Sequence, residues 1–165
     1  MLKILIAEDD RELRQLFSHV LMKNGYTVKG VSNGKEALEA TDNDYYDLIM
    51  SDVMMPQMDG YEFVRELRDS GNTTPVIMIT AKDAFDDMRM GFLSGTDDYM
   101  IKPINVNEMV LRVGALLRRA QMINERRLVL GNTVMECDSL TVTTDKESVI
   151  LPQKEFMLLY KMASY

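Results

Sequence analysis

The chain has 165 residues, a formal net charge of −7, 46% hydrophobic residues and one cysteine. That length allows one domain with a real core plus something smaller, and the lone Cys137 excludes an internal disulfide. Residues 1–120 carry 14 Lys/Arg against 20 Asp/Glu (net −6) and residues 121–165 carry 5 against 6 (net −1), so neither part has the basic balance expected of a nucleic-acid-binding surface.

From the N-terminus, residues 3–7 form a short apolar strand pattern that soon meets acids. It lacks the long apolar core and cleavage site of a signal peptide. No apolar run is long enough to span a bilayer. These features, with the single cysteine, predict a cytoplasmic protein. Residues 10–23 carry Leu13, Phe17, Val20 and Leu21 at helical spacing, with Asn24-Gly25 as the stop. A strand over 27–31, a helix over 35–41, a strand over 47–52 and a helix over 61–70 ended by Gly71 follow. Next come a strand over 75–80, a helix over 84–94 ended by Gly95, a short strand over 98–101 and an amphipathic helix over 106–119. Five strand–helix units predict a parallel sheet covered by helices on both faces.

Residues 120–127 turn polar and read as a linker, with a helical extension as the alternative. The period then changes. Short strand patterns at 128–130, 133–136, 140–143 and 149–151, separated by turn residues, predict an antiparallel meander. Pro152 opens a helix with Phe156, Leu159, Tyr160 and Ala163 on one face. The domains are thus 1–119, a linker at 120–127, and 128–165, a segment too small for a secure core of its own and expected to be the incomplete start of a second domain.

Chemistry-bearing residues sit where the predicted strands end. Glu8-Asp9 follows Ile4-Leu5-Ile6-Ala7, Asp52 follows Leu48-Ile49-Met50-Ser51, Thr80 follows Val76-Ile77-Met78-Ile79, and Lys102 follows Tyr99-Met100-Ile101. In an open parallel sheet, ligands bind outside the carboxyl ends of the strands. Three carboxylates, a hydroxyl and an ammonium suit a divalent cation and a phosphoryl group. Adjacent carboxylates repel unless a cation compensates. Mg²⁺ takes oxygen ligands and joins carboxylates to phosphate, and the Met54 carbonyl just past Asp52 could complete its shell. Lys102 offers a compact charge to a phosphate oxygen. Thr80 offers a donor hydroxyl. Asp52 is the nucleophile candidate, because a carboxylate accepts a phosphoryl group as an acyl phosphate. Asp10 reads as an acidic helix start complementing the dipole, and the many methionines as adaptable core.

Ile6-Ala7-Glu8-Asp9-Asp10, Ser51-Asp52-Val53-Met54-Met55-Pro56-Gln57-Met58-Asp59-Gly60, Thr80-Ala81-Lys82 and Asp97-Asp98-Tyr99-Met100-Ile101-Lys102-Pro103, in this order and spacing, resemble the receiver domain of two-component response regulators. Leu151-Pro152-Gln153-Lys154-Glu155-Phe156-Met157-Leu158-Leu159 resembles the start of the winged-helix effector of the OmpR/PhoB subfamily. The resemblance implies a flavodoxin-like sheet of order 2-1-3-4-5. It implies that Asp52 accepts phosphate from a sensor histidine kinase, with Mg²⁺ held directly by Asp9 and through water by Glu8. Thr80 and the Ala81 amide would contact the phosphoryl group, Lys102 would pair with it, Tyr99 would be the rotamer partner of Thr80, and Lys102-Pro103 would be cis. It further implies a two-fold homodimer through the face made by the helix of 84–94, the strand of 98–101 and the helix of 106–119. Asp97, Asp98, Glu108, Arg112 and Arg119 stand at suitable positions there. Met88, beside Arg89, replaces an often basic residue, which places the usual bridge to Glu108 in doubt. Met54 and Lys82 flank the site and would tune the phosphoryl lifetime.

The expected output is control of transcription, with promoter DNA as a partner of the full-length protein only. Phosphoryl chemistry would be limited to self-catalysed transfer and slow hydrolysis, with no independent metabolic substrate. Two other classes compete. One is a stand-alone adaptor acting by protein–protein contact. The other is an aspartyl-phosphate phosphohydrolase, against which the Glu-Asp-Asp first strand end and the third-strand Asp52 both argue.

Overall fold

The computed structural model describes residues 1–81, 95–136 and 139–163. It contains two compact units, Met1–Leu117 and Arg118–Tyr165. The helix expected over 84–94, with Met88 and Arg89, and Lys82 lie outside the described residues.

In the first unit, β1 (Lys3–Ala7), β2 (Thr27–Val31), β3 (Leu48–Asp52), β4 (Val76–Thr80) and β5 (Asp98–Ile101) form one parallel sheet in the order β2-β1-β3-β4-β5. The order expected from the resemblance is therefore present. The described helices are α1 (Arg11–Lys23), α2 (Gly34–Asn43), α3 (Gly60–Asp69) and α4 (Val106–Arg126).

Strand alternation explains the layering. Ile4, Ile6, Leu48, Met50, Ile77 and Ile79 point to one face, where Phe17 and Leu21 of α1 and Met109 and Val113 of α4 cover them. Leu5, Ala7, Ile49, Val76 and Met78 point to the other, against Ala37 and Ala40 of α2 and Phe63, Val64 and Leu67 of α3. β3 and β4 are buried at every residue, as apolar runs sandwiched between helices must be. β2 is the exposed edge.

Helix starts follow cap chemistry. Asp10, Asn33 and Asp59 each accept a backbone N–H from three residues on, satisfying one of the orphan donors of the first turn. The predicted boundaries shift by one or two residues for this reason: Asp10 is a cap rather than a helical residue, and Gly34 and Gly60 already lie inside their helices. Residues 120–126 are helical, so the extension, not an irregular linker, is what forms. Ala120, Gln121 and Met122 are good helix formers with no Gly or Pro among them.

The loop of 53–59 is held against the strands at two glycines. A Cβ on Gly60 would sit 2.3 Å from the Asp52 carbonyl oxygen, and one on Gly34 would sit 2.5 Å from the Met58 carbonyl oxygen. The Gly60 amide donates to Val53 O at 2.9 Å and the Gly34 amide to Met58 O at 3.0 Å. Backbone approach this close admits no side chain.

In the second unit, β6 (Arg127–Leu130), β7 (Thr133–Glu136), β8 (Thr141–Thr143) and β9 (Ser148–Ile150) pair antiparallel in sequence order, and α5 (Gln153–Ala163) follows. Met135 and Phe156 are buried. Phe156 stacks on Tyr160 one turn later, with ring centroids 5.9 Å apart. Leu159, expected on the covered face, is exposed, as are Leu158 and Met162.

Because the Gly60 contact is with backbone, Gly60→Ala is expected to cost about 1–3 kcal/mol, the usual range for overpacking. Urea unfolding measures it. A change below about 0.5 kcal/mol, ordinary for a surface position, would mean that the 53–59 loop moves freely away from Asp52.

Candidate functional site

β1, β3, β4 and β5 are consecutive in the sheet and carry their polar residues to one rim at its carboxyl edge. Asp52 closes β3 and is 4% exposed; Glu8 follows β1 and is 1% exposed. Asp9 is exposed beside them, and ligand oxygens of Glu8, Asp9 and Asp52 all lie within 4.8 Å of one another. Lys102, just past β5, reaches into this group. Its Nζ lies 2.9 Å from Asp52 Oδ2 and 3.6 Å from Glu8 Oε2. Asp52 Oδ1 accepts from the Met54 amide at 3.4 Å.

The electrostatics are unbalanced: among the described residues one ammonium faces three carboxylates. Burial, and then the charge of Asp52, push the Glu8 carboxyl up from 4.5 to about 7, against the opposing pull of Lys102 and the Asp10 amide. Burial pulls the Lys102 ammonium down. The hydrogen bond it donates to Asp52 and the charges of Asp52, Glu8 and Asp9 outweigh it, so the net direction is up. Glu8 Oε1 accepts from the Asp10 amide at 3.2 Å. Among the described residues Glu8 Oε2 is buried and accepts no hydrogen bond, the Lys102 ammonium standing off at 3.6 Å. A buried, orphaned carboxylate oxygen in an acidic cluster is the donor a hard cation satisfies. The residues present therefore fit a bound divalent metal.

Thr80 closes β4, is 2% exposed, and stands opposite Ile101 in register. Tyr99 stands opposite Met78, two residues before Thr80, so Thr80 and Tyr99 share a sheet face. Tyr99 is buried, and its hydroxyl lies 3.4 Å from that of Tyr61 in the first turn of α3. Ala81 follows as an exposed residue. The Lys102 amide donates to Thr80 O at 2.8 Å, fixing the end of β5 to the end of β4, and the Lys102-Pro103 bond is cis. Met54 is 72% exposed over the site.

The residues expected on a dimer face are only partly together. Arg112 Nη1 donates to both carboxylate oxygens of Asp98, at 2.9 and 3.0 Å, and its Nε donates to Glu108 at 3.0 Å. The bonds to Asp98 and then Glu108 raise the Arg112 pKa. Asp97 is engaged elsewhere: it accepts from Arg68 Nη2 at 3.0 Å and from the Val76 amide at 2.8 Å. Arg119 is exposed on α4.

Three contributors escape sequence reasoning. Arg14 Nη1 donates to Glu8 O at 2.7 Å. Tyr61 meets Tyr99. Arg68 ties Gly95 O, Asn72 O and Thr74 O to α3. The one available signal was an arginine one turn into the helix that follows the acidic triplet; nothing in the sequence distinguished Tyr61 or Arg68.

Comparison with known proteins accords with this geometry. Residues 4–114 match the family model described as the response regulator receiver domain. The chain is 38% identical over 164 residues to the heme response regulator HssR of Staphylococcus epidermidis, covering 99% of this chain and 73% of that protein. It is 40% identical over 159 residues to the transcriptional regulatory protein CiaR of Streptococcus pneumoniae, covering 96% and 70%. Among solved structures, the receiver domain of the Francisella response regulator 1452 superposes with a TM-score of 0.69 at 36% identity, over 72% of this chain and 98% of that one. The response regulator TrrA of Thermotoga maritima, solved in complex with Mg²⁺ and BeF, gives 0.64 at 29% identity over 70% and 99%. Among the described residues no helix is long and apolar enough to cross a membrane. A sheet of order 2-1-3-4-5 with an acidic rim, and relatives that are full-length regulators, lead to one conclusion: this chain belongs to the two-component response regulators of OmpR/PhoB type, with its receiver domain over residues 4–114.

Proposed function

We propose that Asp52 is the phosphoacceptor and that a sensor histidine kinase is the donor. The observation that carries this reading is Lys102, whose Nζ lies between Asp52 Oδ2 and Glu8 Oε2 at the carboxyl edge of the sheet. An Asp52 oxygen attacks phosphorus, the P–N bond to the donor histidine breaks, and a new P–O bond forms as the imidazole leaves. Charge on the transferring group is the main obstacle, and positioned cations are what lowers it. Lys102 then exchanges its Asp52 partner for a phosphoryl oxygen. The Thr80 hydroxyl and the Ala81 amide donate to the others.

Mg²⁺ is the cation best matched to the site, with Asp9, Asp52 and the Met54 carbonyl as ligands and Glu8 acting through water. Bound there, it supplies charge neutralisation for the phosphoryl oxygens. Thr80 turning toward the phosphoryl group vacates space on the sheet face it shares with Tyr99, which Tyr99 can enter. That rotation biases the face carrying Asp98, Glu108 and Arg112, with Asp97 and Arg119 beside it, toward a homodimer. The full-length regulator acts on promoter DNA in the cytoplasm, a reading supported by the relative CiaR, which is named a transcriptional regulatory protein. The only chemistry of its own is acceptance and slow hydrolysis of the phosphoryl group.

Intact-mass measurement after incubation with a small acyl phosphate and Mg²⁺ tests the acceptor. One phosphoryl group is expected on the wild type, none on Asp52→Ala and none without Mg²⁺. Equal addition to wild type and Asp52→Ala would assign the wrong carboxylate.

The raised Glu8 pKa gives a second test. A carboxyl raised in the folded state contributes stability that is fully present below its ordinary 4.5 and is lost as pH rises through about 7. A cation needs the ionised form, so its stabilising effect must grow over the same range. Thermal unfolding with and without Mg²⁺, at about pH 6 and about pH 8, should show a larger Mg²⁺-dependent rise in Tm at the higher pH. Glu8→Gln should flatten that difference. A shift independent of pH would place the cation away from Glu8.

A further inference from the structure

The acidic turn has to hold its carboxylates against their mutual repulsion, and its backbone is pinned on both sides of Asp9. The Glu8 amide donates to Val31 O at 3.0 Å. The Asp10 amide donates to Glu8 Oε1, and Asp10 Oδ1 caps the Leu13 amide at 3.1 Å. The Glu8 carbonyl belongs to the peptide plane between Glu8 and Asp9, and a side chain holds it. Arg14 Nη1 donates to it at 2.7 Å, the short distance of a charge-assisted bond.

The route by which Arg14 gets there is built into β2. A Cβ on Gly30 would lie 3.1 Å from both Cγ and Cδ of Arg14 and 3.7 Å from its Nε. Gly30 sits in a regular strand, paired with Ile6, where a glycine is unfavourable unless another group needs the space. Here that group is the stem of Arg14.

We propose that Arg14 is a positioning residue for the cation-holding turn: it fixes the Glu8–Asp9 peptide plane, and Gly30 leaves the channel for its side chain. The proposal rests on the reading of Glu8, Asp9 and Asp52 as the Mg²⁺ site. Its sign separates it from a plain charge effect. A guanidinium at the rim of a cation site repels the cation, so removing it for charge reasons alone would tighten Mg²⁺ binding. Removing a group that orients a ligand loosens it. Partners behind the ligands of a metal typically change affinity by about 10–100-fold.

The test is calorimetric titration of the chain with MgCl₂. Arg14→Met removes the donor and the charge while keeping the stem and a good helix former. Its Mg²⁺ Kd is expected to rise by about tenfold, with the circular dichroism spectrum unchanged. Gly30→Val keeps the charge, suits a strand, and crowds the stem, so a smaller rise in the same direction is expected. The double variant is expected to bind no more weakly than Arg14→Met, because the two substitutions act through one side chain. Wild-type binding with unchanged or tighter binding by Arg14→Met would overturn the proposal alone. Fully additive losses would break the link to Gly30 and overturn that half. Absence of Mg²⁺ binding by the wild type, with no difference from Asp52→Asn, would remove the reading of the site and this proposal with it.

Discussion

Two carboxylates with almost no solvent access, Glu8 and Asp52, stand beside a third and share one ammonium. Burying like charges together is costly, because low dielectric strengthens repulsion and removes hydration. Glu8 responds by holding its proton up to about pH 7. The rest of the first unit is arranged around this arrangement. β3 and β4 are buried at every residue, so Asp52 and Thr80 project from strands packed on both faces. Two glycines let the loop after Asp52 lie against the backbone. The Lys102 amide is tied to Thr80 O, which fixes where the ammonium can reach. Stability is given up at one rim and recovered in two apolar layers, the pattern expected where a site must bind more positive charge than it already holds.

The two units differ in how much they can support by themselves. In the first, each central strand is covered on both sides by helices. In the second, the strands pair only with their sequence neighbours and the described residues bury little beyond Met135 and Phe156. Leu158 and Met162 of α5 and Ile150 of β9 are mostly exposed. Local antiparallel pairing forms without long loops to close, so such a sheet needs less core than a parallel one. A reactive, charge-strained rim belongs on the better-buried scaffold, and that is where it lies.

The strands were legible because burial on both faces leaves a continuous apolar run, and the site because its residues terminate those runs. The acidic helix start at Asp10 was legible, since its chemistry is local; that Asp10 caps the helix from outside it was not. What could not be read was reach. Arg14, Arg68 and Tyr61 act across loops, on carbonyls or a hydroxyl that carry no sequence signature. Asp97 shows the same limit from the other side. The resemblance groups it with Asp98 on one face, while within the chain Arg68 and the Val76 amide hold it at the entry to β5. The polar run at 120–127 was ambiguous because helix formers without an apolar stripe fit a linker and a helical extension equally well.

The intramolecular pairs of Arg112 bear on how a dimer face could switch. Arg112 is already satisfied by Asp98 and Glu108 within one chain. Half-buried surface pairs of this kind contribute on the order of 1 kcal/mol. An exchange of partners between two copies would therefore trade like for like, with little net gain from charge. Such a face supplies register rather than affinity, because complementary charges reject wrong alignments more strongly than they reward the right one. The free energy that decides association must come from elsewhere on the same face, by apolar contact or by the conformational bias set at Asp52. On the proposed reading, a weak, well-registered surface is what a reversible signal would require: small changes at the acidic rim would tip it, and loss of the proposed phosphoryl group would release it.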